Sequence, residues 1–123
     1  MTMPIPARKY DQGKPPLSRL FVLGFALDAV AFTLDYGRGK YGDDVNWQKV
    51  ENGEERYLNA AVRHISKHVS GKLLDDEPDE QGRPGSGLPH LWHAACSLLM
   101  SLWHASARLD KARREVKRVD RDG

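Results

Sequence analysis

Histidine spacing is where chemistry first shows in this sequence. His64 and His68 stand four residues apart in EERYLNAAVRHISKHVS, and His90 and His93 three apart in PHLWHAACSLLMSLWHASA. Residues at those separations sit one above the other on a helix, where two imidazoles can hold a metal ion or simply hydrogen-bond within a core. The second stretch has a further peculiarity: from Leu88 to Ala107 it contains no Asp, Glu, Lys or Arg, although those residues make up 29% of the chain. At about 100° per residue, Leu88, Leu91, Trp92, Ala95, Leu99, Leu102 and Trp103 fall on one side, and His90, His93, Ser97, Ser101 and His104 on the other. A surface helix would fill that second side with Lys and Glu. A polar, uncharged face predicts instead a helix covered on both sides, by a core against its apolar side and by a site or subunit interface against its histidines. His104, further along, is expected to make a structural or interfacial hydrogen bond.

Asp28 is the next candidate. It is the only ionisable residue between Arg19 and Asp35 and shares a face with Asp35, Gly24 and Ala31. A carboxylate inside an apolar helix is costly unless paired, so Asp28 is expected to face a neighbouring helix. There it would either fix packing against Arg63 or a histidine, or use the room beside its small neighbours for a ligand. Cations follow: Lys40 lies in GRGKYG, Arg63 adjoins His64, and Lys14 follows Gly13. A cation beside flexible glycine backbone suits phosphate oxygens. Asn46 and Trp47 offer an amide for base-edge hydrogen bonds and a ring for stacking, or an anchor for their loop.

These side chains need elements to carry them. Residues 1–15, rich in Pro, Lys and Arg, read as an extended arm. Residues 16–36 have the apolar density of a buried helix, with Pro16 near its start and Gly37 as its stop. A glycine-punctuated loop, GRGKYGDDVNW, precedes a second helix over 54–70, where Leu58, Val62, Ile65 and Val69 recur at helical spacing and Gly71 lies beyond the end. LLDDEPDEQGRPGSGLP is an acidic loop, and a third helix opens near Pro89 and continues through Leu109, Ala112, Val116 and Val119. Residues 16–109 thus form one domain, and 110–123 a charged helical extension. Without strand-like alternation the class is all-α, a small bundle of three to four helices.

With 19 basic and 17 acidic residues the net charge is +2, which gives no electrostatic case for nucleic acid as a partner. The single cysteine, Cys96, has no partner for an intramolecular disulfide and fits a reducing compartment. No secretory signal or convincing membrane span is visible, so the expectation is a soluble, cytoplasmic chain. A bundle this small, with a helix that needs covering on two sides, is expected to be completed by oligomerisation, at least as a homodimer.

The series DQGKPPL, ALDAVAFTLDYGRGKYGDDVNW, RYLNAAVRHISKH and SGLPHLWHAA resembles the phage and prophage family named for its dATP/dGTP diphosphohydrolase N-terminal domain. Through it the chain is more loosely similar to the MazG-like all-α nucleotide pyrophosphohydrolases. The resemblance spans about residues 9–105. It implies a helical bundle that hydrolyses a deoxynucleoside triphosphate to the monophosphate and pyrophosphate, serving phage control of the nucleotide pool in the host cytoplasm. It also implies a pocket lined by Lys14, Asp28, Lys40, Asn46, Trp47, Arg63, His64, His68, His90 and His93. In that reading Asp28, His64 and His68 are catalytic; Lys14, Lys40, Asn46, Trp47 and Arg63 bind substrate; and Asp28, Asp75, Asp76, His90 and His93 hold a divalent metal. The paired ExxE and ExxD motifs of MazG-like enzymes are absent, since Glu51 and Glu54 spell ExxE only in a glycine-containing turn. Asp75, Asp76 and Glu77 are alternatives for the loop acid. The cofactor expected is Mg²⁺ or Mn²⁺, with Zn²⁺ or Fe²⁺ as alternatives where histidines replace carboxylates. A non-catalytic protein that sequesters a nucleotide or signal molecule in the same pocket is the second reading.

Overall fold

The computed structural model describes Ala7 and residues 12–122, and the described residues form helices, turns and one isolated bridge. A 3₁₀ helix, Leu17–Leu23, leads to α1 (Phe25–Tyr41); a second 3₁₀ turn, Asn46–Lys49, precedes α2 (Gly53–Val69), and α3 (His90–Asp122) closes the bundle. The fold is all-α. Gly24 breaks the single helix expected over 16–36: its φ of +52° is disfavoured for residues bearing a Cβ, and the two segments meet at 97°. Downstream, α1 runs through Gly37 and Gly39, where the sequence predicts its stop. Helix-interior glycine costs about 1 kcal/mol, and here the last turn is supported by the Arg38–Asp35 pair at 2.6 Å. The true cap is Gly42, at φ +71°, whose N–H donates to the Arg38 carbonyl at 2.7 Å.

α2 matches its predicted span within a residue at each end. The chain then enters a loop pinched at its base: His90 N–H donates to the Leu73 carbonyl, Asp75 N–H to Leu88 and Gly87 N–H to Asp75, each at 2.8 Å. That pinch returns residues 75–87 to the start of α3.

α2 and α3 form the main packed pair. α1 lies against α3 through Phe25 and Phe32, whose rings stand 6.0 and 6.3 Å from Trp92. The Cys96 thiol, 3.5 Å from the Val30 carbonyl, adds a second tie. The buried apolar residues are small, namely Ala29, Ala61, Ala94 and Cys96, and beside them Thr33, His90 and Ser101 are buried too. This corrects the core expected against the apolar side of α3. Its polar face is turned inward on α2, while Leu91, Leu99 and Leu102 remain 48%, 50% and 60% exposed. Small and hydroxyl-bearing side chains let the helix backbones approach closely, and a histidine can be buried if each ring nitrogen finds a partner. No single helix among the described residues is long and apolar enough to cross a membrane.

Candidate functional site

A cavity of about 320 Å³ opens where the C-terminal half of α1, the 42–49 segment, α2, the pinched loop and α3 meet. That volume is within the range of small-molecule sites. Its walls are mixed: Tyr36, Tyr41, Trp47 and Tyr57 supply rings, Arg38, Lys40 and Arg83 positive charge, and Asp43, Asp44, Asp75, Glu77 and Asp79 carboxylates.

Most of these charges are already paired. Asp43 accepts the Val45 N–H at 2.8 Å, which with nearby Lys49 holds its carboxyl below the ordinary range. Glu77 bonds to Lys72, with Lys67 at 3.7 Å, and is likewise held low. Asp79 caps the Arg83 backbone N–H and takes the Arg83 guanidinium at 2.6 Å, while Asp44 has Arg38 at 3.9 Å. Two charges are left over. Among the described residues Asp75 has no Lys or Arg within ion-pair distance, and Lys40 has no carboxylate, only the Tyr41 ring at 5.4 Å. A cavity holding one uncommitted cation and one uncommitted carboxylate can receive a ligand carrying both signs.

Behind Asp75 lies a stack of imidazoles. His93 Nε2 is 2.6 Å from Ser86 Oγ and 3.7 Å from Asp75 Oδ2. His64 stacks on His93 at 4.8 Å and shares a proton with His90, Nδ1 to Nδ1, at 2.8 Å. Burial, reinforced by the neighbouring imidazoles, pushes His64 down to about 4. Burial also lowers His93, though Asp75 opposes the shift. Both rings are therefore neutral at pH 7, and His93 stands beside Asp75 as a proton acceptor, not as half of an ion pair.

The structure brings together Lys40, Asn46, Trp47, His64, Asp75 and His93 around the cavity. It does not bring the rest. Asp28 is exposed on α1 with no ion-pair partner among the described residues, so the expectation that it faces a neighbouring helix is corrected. The residues beside it that are buried, Ala29 and Thr33, take the inward face of that helix. Lys14, Arg63 and Asp76 are exposed and outside the cavity lining; His68 is half-buried one turn beyond His64, and His90 sits buried behind it. Among the described residues no three His, Cys, Asp or Glu side chains are placed to hold a metal together.

Sequence reasoning missed Arg38, Arg83, Asp43, Asp44, Asp79 and Ser86. Their signals were present as DD beside KYG and as charges within a Gly-rich loop, but only the pinch at 73–90 brings them to one place.

His104 does something different. Its Nε2 donates to the Trp47 carbonyl at 2.9 Å, its ring stacks on Tyr57 at 5.9 Å, and it lies directly against Gly53. It locks the turn that carries Trp47 to α3.

No curated protein and no solved structure matches the chain. The family model described as dATP/dGTP diphosphohydrolase, N-terminal, matches residues 4–114, nearly the whole chain. By that match the chain belongs to the dATP/dGTP diphosphohydrolase N-terminal family.

Proposed function

We propose that the chain hydrolyses deoxypurine nucleoside triphosphates such as dATP and dGTP to the monophosphate and pyrophosphate, in the cavity between α1, α2 and α3. The observation that carries this reading is the pair of uncommitted charges, Lys40 and Asp75, in a nucleotide-sized cavity lined by aromatic rings. The family's description supports purine deoxynucleotides as the substrate class.

In this reading Trp47 and Tyr41 flank the base, and Asn46 gives it a polar edge. Lys40 meets the phosphates, with Arg38 and Arg83 on the same walls. Water attacks the α-phosphorus as the bond to the α,β-bridging oxygen breaks, pyrophosphate leaves with the electron pair, and the water proton passes to neutral His93, where the Asp75 carboxylate at 3.7 Å stabilises the imidazolium that forms. The described residues do not form a resident metal cage, because most carboxylates of the cavity are tied to cations of the chain and His64 and His90 occupy each other's Nδ1 atoms. Mg²⁺ or Mn²⁺ arriving on the triphosphate needs only one or two protein carboxylates, a role open to Asp75, and would neutralise phosphate charge.

The test is a screen of the four dNTPs and four NTPs with Mg²⁺, Mn²⁺, Zn²⁺ or chelator, products resolved by chromatography. Metal-dependent release of monophosphate and pyrophosphate from purine deoxynucleotides is expected. Saturable binding with the nucleotide recovered intact under every metal would instead make the protein a sequestering one.

A further inference from the structure

We propose that α3 pairs with α3 of a second copy as an antiparallel coiled coil, on the side of the helix opposite the cavity. Leu98, Leu102, Ala105, Leu109, Ala112 and Val116 follow one another at alternating steps of four and three residues, and Val119 continues the series. Leu91 and Ala95 hold the same phase upstream. An apolar 4–3 repeat sustained over three heptads, with charges flanking it, is the signature of a helix seam that packs on another helix.

Within this chain nothing fills the seam. Leu98, Leu102, Leu109, Val116 and Val119 are between 51% and 66% exposed. The stripe that contacts α2, including His90, Ala94, Ser101 and His104, lies one residue back, about 100° round the helix. Trp92 and Cys96, which meet α1, lie about 100° round the other way, and His93 and Met100 look into the cavity from the far side. Both neighbours and the cavity are thus accounted for, and the seam faces away from all three. From Leu98 to Val119 it is about 32 Å long.

The seam itself argues for a second copy as occupant, because the charges that flank it complement one another when the same helix is set against it.

Charge sets the direction. The positions flanking the seam are Arg108 and Glu115 on one edge and Arg113 and Asp120 on the other. Parallel, in-register helices would set Arg108 beside Arg113 of the partner subunit and Glu115 beside Asp120 of the partner subunit, like charge against like. Antiparallel helices with the two-fold axis between Asp110 and Lys111 set Arg108 beside Glu115 of the partner subunit, twice. They also match Leu109 with Ala112, Ala105 with Val116 and Leu102 with Val119, large against small in the central layers. Arg108 already bonds Glu54 at 2.9 Å, and its remaining guanidinium donors are enough for a second carboxylate.

The full chain is tested by light scattering and by cysteine cross-linking. The expected mass is at least twice that of one chain at tens of micromolar, and Leu109→Glu with Val116→Glu halves it while far-UV circular dichroism stays helical. A Leu102→Cys/Val119→Cys chain should form an intersubunit disulfide under mild oxidation, and Val119→Cys alone should not. The cross-linking arm does not depend on the glutamate variant folding. A single-chain mass, or a mass unchanged by the two glutamates, overturns the seam; efficient linking of Val119→Cys alone overturns its direction.

Discussion

At one end of the α2–α3 interface, Ser101 and His104 reach across to backbone: Ser101 Oγ donates to the Glu54 carbonyl at 2.7 Å and His104 to the Trp47 carbonyl at 2.9 Å. At the other end, His64 and His93 make side-chain contacts to one another, to Ser86 and to Asp75, and open on the cavity. The same uncharged polar face of α3 supplies both. Where its partners are main-chain carbonyls it closes the structure, and where they are titratable side chains it leaves a space with chemistry in it. Substitution of Ser101, which bonds only the Glu54 carbonyl, should therefore cost stability and spare activity, and substitutions at the open end should do the reverse.

The largest expected effect belongs to the closed end. A Cβ on Gly53 would overlap the His104 ring, and that ring cannot swing away without losing its bond to Trp47 and its stack on Tyr57. Gly53→Ala should destabilise the fold by about 3 kcal/mol, read as a lowered urea midpoint. An unchanged midpoint would mean that His104 is not a fixed anchor. At the open end, Lys40→Ala should lower kcat/KM for dGTP by about 10 to 100-fold, or about 1.4 to 2.7 kcal/mol, while leaving the midpoint within about 0.5 kcal/mol. Equal losses of stability and activity would erase the distinction between the ends. Ser101→Ala, which strands no charge, should cost about 1 kcal/mol of stability and leave turnover unaltered.

The smallest effect is a pH dependence, and it sharpens the account of the imidazole stack. His64 is held at about 4 in the folded chain against an ordinary 6.5, so between those values the unfolded state binds more protons. The contribution is fully present above pH 6.5 and is lost as pH falls toward 4. Because the ring is only partly shielded from solvent, the loss between pH 7 and pH 5 should be about 1 kcal/mol. Thermal melts should show it, and His64→Gln should flatten the slope; a wild-type melting temperature that ignores pH in this window would show the stack to be solvated.

How much of this was written in the sequence differs by element. α2 was legible because Leu58, Val62, Ile65 and Val69 keep one phase between clear stops. α1 was not, since Gly24 sits in an unbroken apolar run and only its positive φ reveals the bend. The lack of charge along Leu88–Ala107 predicts covering on both sides, and it is the apolar side, at Leu91, Leu99 and Leu102, that stays largely exposed. Hydrophobic periodicity locates two faces without saying which one small residues allow a neighbour to approach. Lys40, Trp47, His64 and His93 were legible as candidates from residue type and setting. That Asp75 is the uncommitted carboxylate was not, because it depends on Lys49 reaching Asp43, Arg38 reaching Asp44, Lys67 and Lys72 reaching Glu77, and Arg83 reaching Asp79.

The central claim is that the open end of the interface is where a nucleoside triphosphate is split, and product analysis of dGTP turnover tests it most directly. Wild type, Asp75→Asn and Ser101→Ala would be compared with Mg²⁺ and with Mn²⁺, resolving monophosphate, diphosphate and pyrophosphate. The account predicts dGMP and pyrophosphate from wild type and Ser101→Ala, and loss of both products by 100-fold or more in a folded Asp75→Asn, on the order of 3 kcal/mol in the barrier. Full turnover by Asp75→Asn, or release of dGDP and inorganic phosphate by the wild type, would contradict it.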